Sequence, residues 1–213
     1  ALNEIYPGGF KHYEQSLRVV DVLERDGRGL NLCYETRMGI LNHTVGAPDD
    51  TLEATTVRLC DRIAYVNHDL DDSIRAGILT EEDVPARVRE NCGDKNSRRI
   101  NAFISDLIAN SGGGKLKMSD EMQETFNIFH AFMFSDVYTN PVAKSEENKV
   151  KGILGGLYTY YTSHPDALPD DFRGVIEHDG IERAACDYIS GMTDGYAMEK
   201  YGEIFIPFAW TVK

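Results

Sequence analysis

The sequence predicts an all-α protein with at most a minor hairpin, and three observations carry that expectation. Apolar residues recur at spacings of three and four along most of the chain, the period of an amphipathic helix. The runs are separated by Gly, Pro and Asn clusters that break helices, and only Lys115 to Met118 and the tail Ile204 to Val212 invite a strand.

Taken in order, Tyr6-Pro7-Gly8-Gly9 is a turn. Phe10, Tyr13, Leu17, Val20 and Leu23 then define a helix ending near Gly27 to Gly29, and Tyr34, Met38 and Leu41 suggest a second. Asp50 followed three residues on by Glu53 is a capping-box pattern that opens a long helix running towards Gly77. Thr80 with Asp83 starts a short acidic turn before Pro85. Ile100, Phe103, Ile104, Leu107 and Ile108 give a clear helix stopped by Gly112-Gly113-Gly114, and the segment from Ser119 presents Met122, Phe126, Phe129 and Met133. After Asn140-Pro141, Val150, Leu154, Leu157 and Tyr161 form a helix up to His164-Pro165. The last clear helix carries Ala185, Tyr188, Ile189, Met192 and Tyr196. The triple glycine is the one linker-like spot, which sets the expected division at residues 1–111 and 112–213, with apolar helices on both sides able to share a core.

At 213 residues the chain can bury a sizeable core, and its 42 % hydrophobic and 27 % charged content is that of a globular protein. A net charge of -13 opposes general adhesion to nucleic acid or to anionic membrane, so a phosphate-bearing ligand needs a local device such as a metal ion or arginines. Cys33, Cys60, Cys92 and Cys186 are widely spaced without a Cys-x-x-Cys pair, which argues against a zinc knuckle or disulfide framework and suits a reducing, cytoplasmic setting. No apolar run approaches the roughly 20 residues of a membrane span. The opening Ala-Leu-Asn-Glu-Ile-Tyr lacks an initiating Met and reads as the interior of a longer chain.

Within the long helix, Asp61, Tyr65 and Asp69 stand at intervals of four and share a stripe with His68 and Asp72. An acidic and aromatic stripe suits a cation, a sugar hydroxyl or both; a solvated helix face is the bland alternative. Asp61 could ligate a divalent metal, and Arg62 beside it could contact phosphate or form a surface ion pair. His12, on the first helix near Gln15 and Ser16, could donate to a phosphate oxygen. Glu14 and Arg18, four apart, read by default as an ion pair. Ser97-Arg98-Arg99 opens a helix where an anion could bind, surface solvation being the simpler account. Tyr158, Tyr160 and Tyr161 suit a helical core. His68-Asp69 and His178-Asp179 lack supporting ligands, no His-x-x-x-His spacing exists, and triad and P-loop patterns are absent.

Together these segments resemble the deoxyguanosine triphosphate triphosphohydrolase branch of the HD-domain phosphohydrolases. The matching stretches are GGFKHYEQSLRVV from Gly8, LNLCYETRMGILNHT from Leu30 and LEATTVRLCDRIAYVNHDLDDSIRAGIL from Leu52. SRRINAFISDLIANS from Ser97 and ACDYISGMTDGYAMEKY from Ala185 complete them. The resemblance implies an HD-domain-like helical bundle lacking its N-terminal helices, with a helical C-terminal extension. It implies an enzyme that hydrolyses dGTP or another dNTP to the deoxynucleoside and triphosphate with a divalent metal, Mg, Mn or Fe. In this resemblance Asp61 matches a metal ligand, Tyr65 a ring that packs on the deoxyribose, Asp69 the carboxylate that reads its 3'-hydroxyl, Arg62 a phosphate contact, and His12 a histidine near the phosphates. Asp194-Gly195-Tyr196 departs from the Asp-Arg-Tyr common there. The family's other metal ligands, its His-Asp doublet among them, lie upstream of the first matching motif. The chain alone is therefore expected to be inactive, with the missing N-terminal segment and further copies of the chain in a homo-oligomer as its partners. Two other readings are a non-catalytic helical module that binds nucleotides or subunits, and a nucleoside monophosphate phosphatase, which would lack the Asp61, Tyr65 and Asp69 trio.

Overall fold

The computed structural model describes residues 1–47, 50–141, 145 and 147–207. In chain order its helices are α1 (Leu2–Ile5), α2 (His12–Arg18, continuing as a π-helical turn Val19–Leu23), α3 (Tyr34–Leu41) and α4 (Leu52–Arg75). They continue with α5 (Ala86–Cys92), α6 (Asn96–Asn110), α7 (Asp120–Met133, continuing as a π-helical turn Phe134–Tyr138) and α8 (Glu147–Ser163), and end with α9 (Arg173–Asp179), α10 (Ile181–Ser190) and α11 (Asp194–Phe205). Among the described residues there is no strand, only an isolated antiparallel bridge between Gly112 and Lys115. The protein is all-α. The strand suggested from Ile204 is helix through Phe205, and residues 208–213 lie outside the described residues.

Local chemistry sets the helix ends. The N-cap of α4 is Thr51, whose hydroxyl accepts from the Ala54 N–H at 3.1 Å. The Asp50–Glu53 capping box is therefore corrected by one residue, because Asp50 instead accepts from the Ala47 N–H at 2.8 Å and from Asn42 at 2.6 Å. Thr80 and Asp83 do form a capping box, around the 3₁₀ turn Glu81–Asp83. The single helix expected through Ala185 to Tyr196 is two, α10 and α11. Thr193 accepts from the Tyr196 N–H at 3.2 Å and restarts the helix two residues after Gly191.

Contacts divide the chain into two compact units, one formed by Ala1–Leu32 together with the chain from residue 146 onward, the other by Cys33–Ser145. The division does not fall at residue 111. Residues on either side of the triple glycine share one core: Phe103 of α6 lies edge-on to Phe126 of α7 at 5.3 Å and parallel to Phe129 at 6.4 Å. Asp106 also accepts from the Ser119 N–H and hydroxyl, each at 2.8 Å.

In the second unit, Ile63, Val66 and Leu70 of α4 pack with Val88, Phe103, Phe126, Phe129 and Met133. They leave the Arg62, Tyr65 and Asp69 side of the helix at the margin of that core. In the first unit, Leu157, Tyr158 and Tyr161 of α8 pack against Ala184, Ala185 and Ile189 of α10. Gly156 belongs to this packing: a Cβ there would stand 2.8 Å from the Tyr201 ring.

Candidate functional site

Helix α4 presents Arg62, Tyr65 and Asp69 in steps of three and four, which keeps them within one face. Each meets a partner further along α7 and its π-helical continuation. The Arg62 guanidinium lies over the Phe126 ring, 5.5 Å from its centre. The Tyr65 hydroxyl and His130 Nε2 are 3.2 Å apart, and the Tyr138 hydroxyl donates to Asp69 Oδ2 at 2.7 Å. A π-turn holds more residues than an α-turn, so the stretch Phe134–Tyr138 returns Tyr138 towards the side of α7 that carries His130. The result is three rungs of cation–ring, hydroxyl–imidazole and hydroxyl–carboxylate between two helices.

Arg62, Tyr65 and Asp69 are half-buried, whereas Asp61, His68 and Asp72 are exposed. The acidic stripe is thus divided. Asp72 pairs with Arg75 at 3.0 Å on the solvent side. Tyr65 and Asp69 are drawn towards α7, and Tyr138 occupies only one oxygen of the Asp69 carboxylate. Burial, and then the hydrogen bond to Asp69, pushes the Tyr138 phenol well above its usual range, so it acts as a donor at neutral pH. Burial, and then the Arg62 charge, holds His130 below its usual imidazole value.

That depression has a measurable consequence. Below the unfolded-state value of about 6.5, the unfolded chain binds a proton that folded His130 resists, so stability falls as pH drops through that range. Urea midpoints of the second unit, followed by hydrogen exchange at pH 7.5 and 5.5, are expected to show the loss. His130→Gln is expected to flatten it, and an unchanged slope in that variant would rule His130 out.

His12 begins α2 in the first unit, exposed and edge-on to Tyr13 at 5.5 Å. It lines a largely apolar cavity of about 550 Å³ with Leu2, Phe10, Leu154 and Met198. The default pairing of Glu14 with Arg18 is corrected: Glu14 pairs with Lys11 at 3.0 Å, while Arg18 turns inward to Asp187 and Asp179. Arg99 is not solvated either. It is fully buried, bonded to Glu81 at 3.0 Å and to Asn67 at 3.3 Å, while Arg98 stays outside.

His130, Tyr138, Gln15 and Asp187 carry polar chemistry that the sequence reading passed over. An acid on the apolar side of α10, next to Ala184 and Ala185, was the available signal for Asp187. Among the described residues no group of three His, Cys, Asp or Glu side chains could hold a metal ion. Asp61 is one exposed donor where a divalent ion takes several, so these residues by themselves do not make a metal site. All four cysteines are free, with Cys92 and Cys186 pushed up to about 11 by burial. No described helix is long and apolar enough to cross a membrane.

Residues 116–203 match a family described as the phosphohydrolase-associated domain. A deoxyguanosinetriphosphate triphosphohydrolase-like protein of Caldanaerobacter subterraneus subsp. tengcongensis is 46 % identical over 98 % of this chain and 62 % of its own length. One from Clostridium perfringens is 41 % identical over 97 % of this chain and 63 % of its own. A relative of the same name from Nitrosomonas europaea is 32 % identical over 93 % of this chain and 67 % of its own. The chain thus spans a little under two thirds of the first two relatives. The matches cover nearly the whole of the chain, and the chain belongs to the family of deoxyguanosinetriphosphate triphosphohydrolase-like proteins.

Proposed function

We propose that this chain supplies the deoxynucleoside-reading part of an enzyme that hydrolyses dGTP or another dNTP to the deoxynucleoside and triphosphate. The observation that carries the reading is the Tyr138–Asp69 hydrogen bond beside the Tyr65–His130 contact. One carboxylate oxygen is fixed by a phenol, the other is left to accept from a sugar hydroxyl, and a half-buried ring stands one turn away to pack on the sugar face. Arg62, steadied over Phe126, would offer guanidinium donors to phosphate. These groups bind and orient. The divalent metal that the family suggests would supply charge neutralisation at the phosphates, with Asp61 as one of its ligands.

The test uses a longer parent chain with the remaining third of the relatives' length. Asp69→Ala is expected to lower kcat/KM for the best dNTP by about 10- to 100-fold, the range for a hydrogen bond to a charged group. The variant is also expected to erase the preference for a dNTP over its 3'-deoxy analogue. A retained preference would show that Asp69 does not read the hydroxyl.

The exposure of Asp61, with no three-donor group beside it among the described residues, favours a second reading in which the chain binds nucleotides or subunits without hydrolysis. Triphosphate release by the 213-residue chain with Mn²⁺ or Mg²⁺ is expected to stay at background and to appear with the longer parent. Robust release by the short chain would refute the dependence on further ligands, and silence in both would favour the binding module.

A further inference from the structure

The first unit contains a second cavity, of about 410 Å³, that the nucleotide reading does not use. Lys11, Glu14, Gln15 and Arg18 line it from one side of α2. At about 100° per residue, His12 points away from that side, and it lines the other, apolar cavity instead. Arg18 and Arg183 are the cavity's main cationic groups. Both converge on Asp187, whose side chain is fully buried: Arg18 Nε donates at 2.9 and 3.1 Å, Arg183 Nη2 at 2.7 Å, and Gln15 Nε2 at 2.8 Å. Two guanidinium ions thus face one buried carboxylate.

The remaining charge is met by Asp179, which accepts from Arg18 Nη2 at 2.5 Å but is 36 % exposed, at the last residue of α9. Arg183 also keeps a buried Nε with no hydrogen-bond partner, and its guanidinium lies over the Tyr6 ring at 5.5 Å. A buried donor without an acceptor is unfavourable, because it has given up water and gained no partner.

We propose that this cavity binds an oxyanion of the phosphate class, and that Asp179 holds the place the ligand takes. Planar guanidinium forks match phosphate oxygens, and a partly solvated carboxylate is the cheapest member of the network to displace. The Lys11 ammonium, paired with the exposed Glu14 and lying over the Tyr13 ring, adds a further cationic donor. The overall charge of -13 does not forbid the site, since exposed charges further off than about 8 Å are largely screened at physiological salt.

The test is calorimetric titration of the 213-residue chain at constant ionic strength with inorganic phosphate, and separately with dGMP. Saturable binding is expected, tightened about tenfold by Asp179→Asn, which removes the competing carboxylate. Arg183→Lys, which retains the charge and loses the Nε donor, is expected to weaken it by a similar factor. Asp179→Asn alters a half-exposed residue, so it reports even where Arg183→Lys disturbs folding. Tighter binding of dGMP, levelled by Tyr6→Leu, would identify a nucleotide as the source of the phosphate group; equal binding would identify free phosphate. Absence of saturation up to roughly 10 mM, or an affinity indifferent to Asp179→Asn and abolished by His12→Ala, would overturn the proposal. Because the readout is binding at residues outside the Asp69 site, it can fail while the nucleotide reading stands, and the reverse.

Discussion

Replacing Asp187 with alanine is expected to destabilise the first unit by about 3–5 kcal/mol, the penalty for removing one partner of a buried ion pair. The carboxylate accepts from Arg18, Arg183 and Gln15, and its side chain has no exposed surface. Alanine would leave Arg18 to Asp179 and Arg183 to the Gln15 side-chain oxygen, and would strand the Gln15 amide N–H. Asp179→Ala breaks a bond to the same Arg18 but at a partly solvated partner, so about 0–1 kcal/mol is expected. The contrast is what identifies burial as the cause. With two compact units, a single unfolding transition cannot be assumed. Hydrogen exchange of amides in α8 and α10 is therefore the measurement, and equal losses in the two variants would show that the carboxylate is not the network's anchor.

The elements legible in the sequence are those whose signals are local. Helix α4 shows its apolar period, an acidic start and its glycine beyond the end within one stretch, and it forms over 24 residues, with its cap at Thr51 and not at the expected Asp50. The break between α10 and α11 was hidden because apolar spacing continues across Gly191, while the deciding hydroxyl of Thr193 is one residue among several plausible turn residues. Polar burial was less visible still. Asp187 meets Gln15 across 172 positions and Arg18 across 169, and nothing in the neighbourhood of either end announces the other. The candidate site divides in the same way. Tyr65 and Asp69 are marked by their spacing on one helix, but their partners His130 and Tyr138 lie 65 and 69 positions away. Tyr138 faces them only because a π-turn shifts the register of α7, which no periodicity count contains.

Arg99 provides the other large effect, and its size depends on what replaces it. The side chain is wholly enclosed, with Nη1 on Glu81 at 3.0 Å, Nε on Asn67 at 3.3 Å, and Nη2 lacking a hydrogen bond although Asp71 stands 3.9 Å away. Arg99→Ala removes the charge and opens a void where a fully buried side chain stood, and a loss of about 3–5 kcal/mol is expected. Arg99→Met fills much of that volume and ends the desolvation of a guanidinium. Glu81 is already 37 % exposed and can turn to water, so the residual cost is that of Asn67 Oδ1, about 1–3 kcal/mol. Asn67 also donates to the Ile63 carbonyl at 2.7 Å, which keeps its amide in place after the arginine has gone. The double variant Asn67→Leu with Arg99→Met is then expected to be more stable than Arg99→Met alone, because neither polar group is left without its partner. Urea midpoints monitored by exchange in α4 and α6 give the comparison. If methionine proves as damaging as alanine, the arginine is retained for the ion pair that tethers the Glu81–Asp83 turn to the helical core, and not for the volume it fills.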